Sequence, residues 1–84
     1  MTAPESTETL DVTGLNCPLP VVKTKQAVDG LSPDDVLEVR ATDPGSVSDI
    51  AGWADGTDGV ELLDQIEGED GGESLFTHYV RVTA

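Results

Sequence analysis

The sequence predicts an α+β two-layer sandwich of order β-α-β-α-β-β: a four-stranded mixed sheet with two helices on one face. Three observations lead there. Eighty-four residues leave room for one domain only. Two segments with helical spacing of apolar residues alternate with short, β-branched, alternating runs. The last two runs are joined by a Gly-rich, charged stretch with no helical pattern in it. Two strand-helix-strand crossovers followed by a hairpin give a mixed sheet with both helices packed on a common face.

The elements follow in order. Residues 1–8 are polar and aperiodic and are expected to form a disordered tail, which leaves 9–84 as the single domain. Leu10-Asp11-Val12 alternates and is closed by Gly14, as a short strand would be. Pro18 to Asp29 reads as a helix: Val21, Thr24 and Val28 share one face, Lys23 and Gln26 the opposite one, and Gly30 stands where a C-cap glycine belongs. Val22 lies off that stripe. Leu31 to Asp35 is a turn built on Pro33. Val36–Ala41 is the strongest strand signal, β-branched and free of breakers until Thr42-Asp43-Pro44-Gly45. Ser46 is placed to cap a second helix running to Ala54, with Asp49 three residues later as in a capping box. Val47, Ile50, Ala51 and Ala54 share its apolar face. Val60–Ile66 and Leu75–Val82 are the last strands, with Gly68–Glu73 expected as a flexible hairpin loop.

Composition narrows the function. Seventeen Asp and Glu against four Lys and Arg give a net charge of −13, a field that repels a phosphate backbone and holds no basic stripe, so no direct nucleic-acid binding is expected. No apolar run approaches membrane-spanning length, and the N-terminus lacks the basic and apolar regions of a signal peptide. A cytoplasmic protein without membrane insertion is expected. Ten Val, eight Leu and two Ile supply a lean aliphatic core, and the single cysteine excludes an internal disulfide. The Asp-rich, Lys-poor balance suits a high-salt cytoplasm, where self-repulsion is screened. An ordinary acidic protein, or one with a basic partner, is the alternative.

Chemistry concentrates in Gly14-Leu15-Asn16-Cys17-Pro18-Leu19-Pro20. A residue before proline is driven out of the helical region, so Cys17 should be extended and just outside the helix. Pro18 then takes the first helical position and Pro20 the third, where missing N–H groups cost nothing. This mount presents the thiol at the positive end of the helix dipole, which favours thiolate. The net negative field opposes that, and Lys23 and Lys25 are expected to offset it locally, giving an exposed, reactive thiol without an extreme pKa.

Elimination leaves few reactions for one thiol. A Cys-His hydrolase needs a base, and His78, the only histidine, lies in the last strand, where alternation reads it as solvent-facing. A thioredoxin-type reaction needs a second cysteine where Pro20 stands. Zinc needs more ligands than this chain has, so no metal and no cofactor are expected. A thiol that carries a transient sulfur adduct needs only exposure, some thiolate and a rigid mount. An interaction or regulatory domain with a structural Cys17, and a thiol redox sensor, remain as other readings.

The cysteine segment resembles the Cys-Pro-x-Pro signature of the TusA/SirA-like sulfur carriers. Further matches are Asp11 before the motif, Lys25 and Ala27 in the first helix, Thr42-Asp43-Pro44, Asp49-Ile50, the apolar strand after Gly59, and Tyr79-Val80-Arg81. They span about residues 9–82. The resemblance implies the fold derived above and a catalytic role for Cys17, which would accept sulfane sulfur as a persulfide. The implied donor is a cysteine desulfurase or rhodanese-like protein, and the implied acceptor is a second protein. The pathways implied are tRNA thiolation, molybdenum-cofactor formation and inorganic sulfur metabolism. Such a protein is a relay rather than a self-sufficient enzyme, and a monomer is expected. Some relatives of this kind carry a second cysteine in helix two, where this chain reads Gly52-Trp53-Ala54.

The remaining features read plainly. Trp53 should cap the core beneath helix two. Glu67, Glu69, Asp70 and Glu73 lack the spacing of a calcium loop and read as a solvated stretch. Arg40 and Arg81 should pair with neighbouring carboxylates, and Thr42–Gly45 is a turn, which the resemblance alone makes the lip of a site.

Overall fold

A computed structural model describes residues 6–83, and its elements are β1 (Glu8–Asp11), α1 (Leu19–Asp29), β2 (Val36–Ala41), α2 (Ser46–Asp55), β3 (Val60–Asp70) and β4 (Glu73–Val82). The strands lie in the order β1-β2-β4-β3. β1 is parallel to β2, and β4 is antiparallel to both β2 and β3. β2 and β3 therefore run the same way with β4 inserted between them, so both β-α-β connections are parallel crossovers and the last connection is a hairpin. That is the mixed sheet the element order implies.

Alternation places Leu37, Val39 and Ala41 of β2 on one face, opposite Val80, His78 and Phe76 of β4. Together with Val12 and Ile50, the aliphatic members of this set form the solvent-free core. α1 lies over β2, α2 lies over β3 and β4, and the helices touch each other. Pro20 and Thr24 are the buried residues of α1, with Val21 and Val28 half-buried beside them; Val22 stays on the open side. Trp53 is half-buried against the core, as its position on α2 requires.

Several boundaries differ from the sequence reading. Of the expected tail, residues 1–5 lie outside the described residues. Thr7 already donates its N–H to the carbonyl of Val36 at 2.7 Å, and β1 begins at Glu8. Val12 follows β1 rather than ending it, buried by its side chain. α1 begins at Leu19, so Pro18 is the N-cap and Pro20 the second helical residue. Ser46 is the first residue of α2 rather than its cap: Gly45 takes that place, with no side-chain cap.

The hairpin is the largest difference. The stretch Gly68–Glu73 is not a loop. Strand pairing continues through Glu69↔Ser74 and Asp70↔Glu73, leaving only Gly71 and Gly72 as the turn. Both have positive φ, +62° and +84°, the pair of left-handed residues that a two-residue type I′ turn demands. A Cβ on Gly71 would meet no atom, so the constraint is conformational, not spatial. Gly71→Val should lower stability by about 1–2 kcal/mol and Gly71→Asn by much less, because Asn tolerates this region. Urea unfolding midpoints of the two variants test the ranking.

The outer face of the sheet carries the arginines. Arg81 pairs with Glu61 across strands at 2.8 Å, while Arg40 reaches Glu38 only at 3.9 Å. Both pairs are open to water, where such contacts contribute little.

Candidate functional site

Because β1 and β2 are parallel neighbours, their C-terminal ends lie on the same edge of the sheet. The Gly14–Pro18 segment leaves one and Thr42–Gly45 leaves the other, so the two turns meet. Gly14 donates its N–H to the Thr42 hydroxyl at 2.8 Å. The N–H of Cys17 donates to Oδ2 of Asp43 at 2.8 Å, and Oδ1 of the same carboxylate accepts from the N–H of Gly45 at 3.1 Å. One aspartate thus ties the cysteine backbone to the entry of α2. Gly14 takes φ +80° to make the approach, a conformation that favours glycine. The Cys17–Pro18 peptide is cis.

Cys17 is exposed, and its thiol donates to Oδ2 of Asp49 at 2.6 Å. Asp49 sits in the first turn of α2, half-buried. The thiol pKa is pushed up, first by this hydrogen bond to Asp49, then by loss of water, then by the negative charges of Asp49 and Asp43. This corrects the expectation that Lys23 and Lys25 and the helix start favour thiolate. Both charges acting on the sulfur are negative, and the prolines of the motif offer it no N–H.

His78 corrects a second expectation. It is fully buried rather than solvent-facing, because Phe76, Val80 and Val82 set the inward parity of β4 and His78 shares it. Its Nε2 lies 3.0 Å from Oγ of Ser46, and its Nδ1 accepts from Nε2 of Gln65 at 3.0 Å. The same Gln65 nitrogen donates to the carbonyl of Val47 at 2.8 Å. With Nδ1 an acceptor, Nε2 carries the proton and donates to Ser46. Burial lowers the His78 pKa to about 4, so the ring is neutral near pH 7. His78 does not reach Cys17, but its network fixes Ser46 and Val47, the first two residues of the helical turn that carries Asp49.

The residues that matter around the thiol, Asp43 and Asp49, stand in the sequence as parts of a turn and a helix start and as matches to the resembled family, with no contact to Cys17 indicated. Parallel pairing of the strands before residues 12 and 42 was the signal that could have joined them to Cys17. A surface depression of about 590 Å³ lies between the C-terminal ends of the helices, lined by Lys25, Trp53, Gly56 and Val82 among others, and shares no residue with the thiol site. Among the described residues, no cluster of His, Cys, Asp and Glu is arranged to hold a metal, and no helix is long and apolar enough to cross a membrane.

Known proteins resemble this chain in sequence and in fold. The sequence model of the family described as Sulfurtransferase TusA matches residues 8–81. A protein of Halobacterium salinarum assigned as a sulfur carrier is 62% identical over 77 residues, covering 92% of this chain and 90% of that relative. The sulfur carrier protein TusA of Allochromatium vinosum is 46% identical over 67 residues, covering 80% of this chain and 84% of its own length. Among solved structures, a SirA-like protein from Desulfitobacterium hafniense superimposes with a TM-score of 0.61 at 27% identity, covering 87% of this chain and 96% of that one. With the family match running from β1 almost to the end of β4, this chain belongs to the TusA/SirA-like family.

Proposed function

We propose that this protein is a sulfur carrier that accepts sulfane sulfur on Cys17 as a persulfide and hands it to a second protein. The observation that carries the reading is an exposed, lone thiol on a mount fixed by Asp43, while the one histidine is buried with both ring nitrogens engaged by Ser46 and Gln65. The cysteine sulfur attacks the terminal sulfur of a donor persulfide, R–S–SH. The S–S bond of the donor breaks, R–S⁻ departs and takes up the proton released by Cys17, and Cys17–S–SH remains. An acceptor thiolate then attacks that terminal sulfur, and Cys17 leaves as the thiolate and is reprotonated. No outside oxidant or reductant is required at either step.

The donor class is a cysteine desulfurase or rhodanese-like protein, and the setting is the cytoplasm, where thiols stay reduced. A chain of charge −13 docks on partners through a salt-dependent field rather than on nucleic acid. Incubation with a desulfurase and cysteine, or with rhodanese and thiosulfate, followed by intact mass spectrometry, tests the reading. One added sulfur, removed by reductant and absent from Cys17→Ser, is expected. Because the chain has one cysteine, the adduct has one address. No adduct from either donor would return Cys17 to a structural role.

A further inference from the structure

With Cys17 as a free thiol, the Cys17–Asp49 hydrogen bond exists only while Sγ keeps its proton. Without that proton, a thiolate and a carboxylate would face each other at contact distance, two anions with Asp43 as a third. Asp49 is not free to retreat with its helix. Its turn of α2 is pinned from below by the buried Ser46–His78 contact and by Gln65 on the Val47 carbonyl. The carboxylate is therefore a fixed neighbour of the reacting sulfur, placed by the core.

Resting on the carrier reading, we propose that Asp49 governs the state of Cys17. It holds the empty carrier as a neutral, hydrogen-bonded thiol and releases it on loading. Once Cys17 carries a second sulfur, Sγ has no proton to give, and the bond to Asp49 is lost. The terminal sulfur, more acidic than a thiol, then faces two carboxylates and is favoured pointing away from them, toward a partner. Empty and loaded carriers thus differ in the one contact that restrains the sulfur, and idle Cys17 is protected from small electrophiles. The charged groups involved are Asp49 from α2 and Asp43 from the turn before it; both push the thiol in the same direction.

Alkylation by iodoacetamide across a pH series tests this. In Asp49→Asn the midpoint of the rate profile should move to lower pH. For each tenfold gain in thiolate, the rate near pH 7 should rise about threefold, because a less basic thiolate is also less nucleophilic, with a Brønsted slope of about 0.4–0.5. Asp49→Ser, without an amide to donate, should move the same way, and Asp49→Glu should restore much of the raised midpoint. Asp55→Asn, which removes a charge from the exposed far end of the same helix, should leave the profile in place. An unshifted midpoint in both Asp49→Asn and Asp49→Ser would overturn the proposal. Sulfur loading read by mass on the same samples separates the two ideas. Normal loading with an unshifted midpoint sinks only the role of Asp49, whereas absent loading in the unsubstituted protein sinks the carrier reading.

Discussion

Ile50→Ala is expected to cost about 2–5 kcal/mol, read as a lower urea unfolding midpoint. Ile50 is wholly buried, on the inward face of α2, in the cluster with Leu37, Val39 and Val80. A chain of 84 residues has total stability of roughly 4–13 kcal/mol, so one cavity consumes a large share of it. Ile66→Ala is the matched control: that side chain is 41% exposed on β3, and its loss should shift the urea midpoint little. Because Ile50 follows Asp49 in the chain, the cavity also loosens the turn that holds the thiol. In the folded fraction of Ile50→Ala, Cys17 should therefore alkylate faster than in the unsubstituted protein.

Acid should act through His78. In the folded protein the ring is neutral with a pKa of about 4, against 6.5 in the unfolded chain. Below pH 6.5 the unfolded state binds a proton that the folded state refuses, so stability falls by about 1.4 kcal/mol per pH unit. The loss is complete once pH passes about 4, at up to about 3 kcal/mol in total. A proton on Nδ1 would also oppose the Gln65 amide that now donates to it, and turning that amide would abandon the Val47 carbonyl. Carboxylates titrate over part of the same range, so the measurement is a difference. Urea unfolding free energies of the protein and of His78→Gln, between pH 7.5 and 4, should diverge in slope below pH 6.5. Parallel curves would show that His78 takes its proton without cost.

The element order was legible because the signals were local. Val36–Ala41 alternates without a breaker, and the helical stripe Val47, Ile50, Ala51 and Ala54 lies between glycines. From the order of elements, parallel crossovers and a terminal hairpin follow by connection rules alone. Where the structure departs from the local signals, the cause is physical. The acidic residues and glycines of Gly68–Glu73 resemble a loop by composition, yet only two positive-φ residues are needed to turn the chain. Alternation reads His78 as solvent-facing, yet it shares the parity of Phe76, Val80 and Val82, which turn inward, and Ser46 and Gln65 meet its ring nitrogens there. Around the thiol, the mount is readable from Pro18 and Pro20, whereas the contacts of Asp43 and Asp49 with Cys17 are not, although both residues match the resembled family. Nothing within one segment announces which carboxylate another segment will meet.

The bonds from Cys17 to Asp43 and Asp49 span 26 and 32 residues. A fragment ending before α2 therefore carries the signature and Asp43 but lacks Asp49. Only when the second crossover has closed beside the first does the sulfur itself acquire its hydrogen-bond partner. Thiol chemistry in this protein thus reports on completed folding, and the same atom that would carry cargo also distinguishes the finished molecule from its unfinished forms.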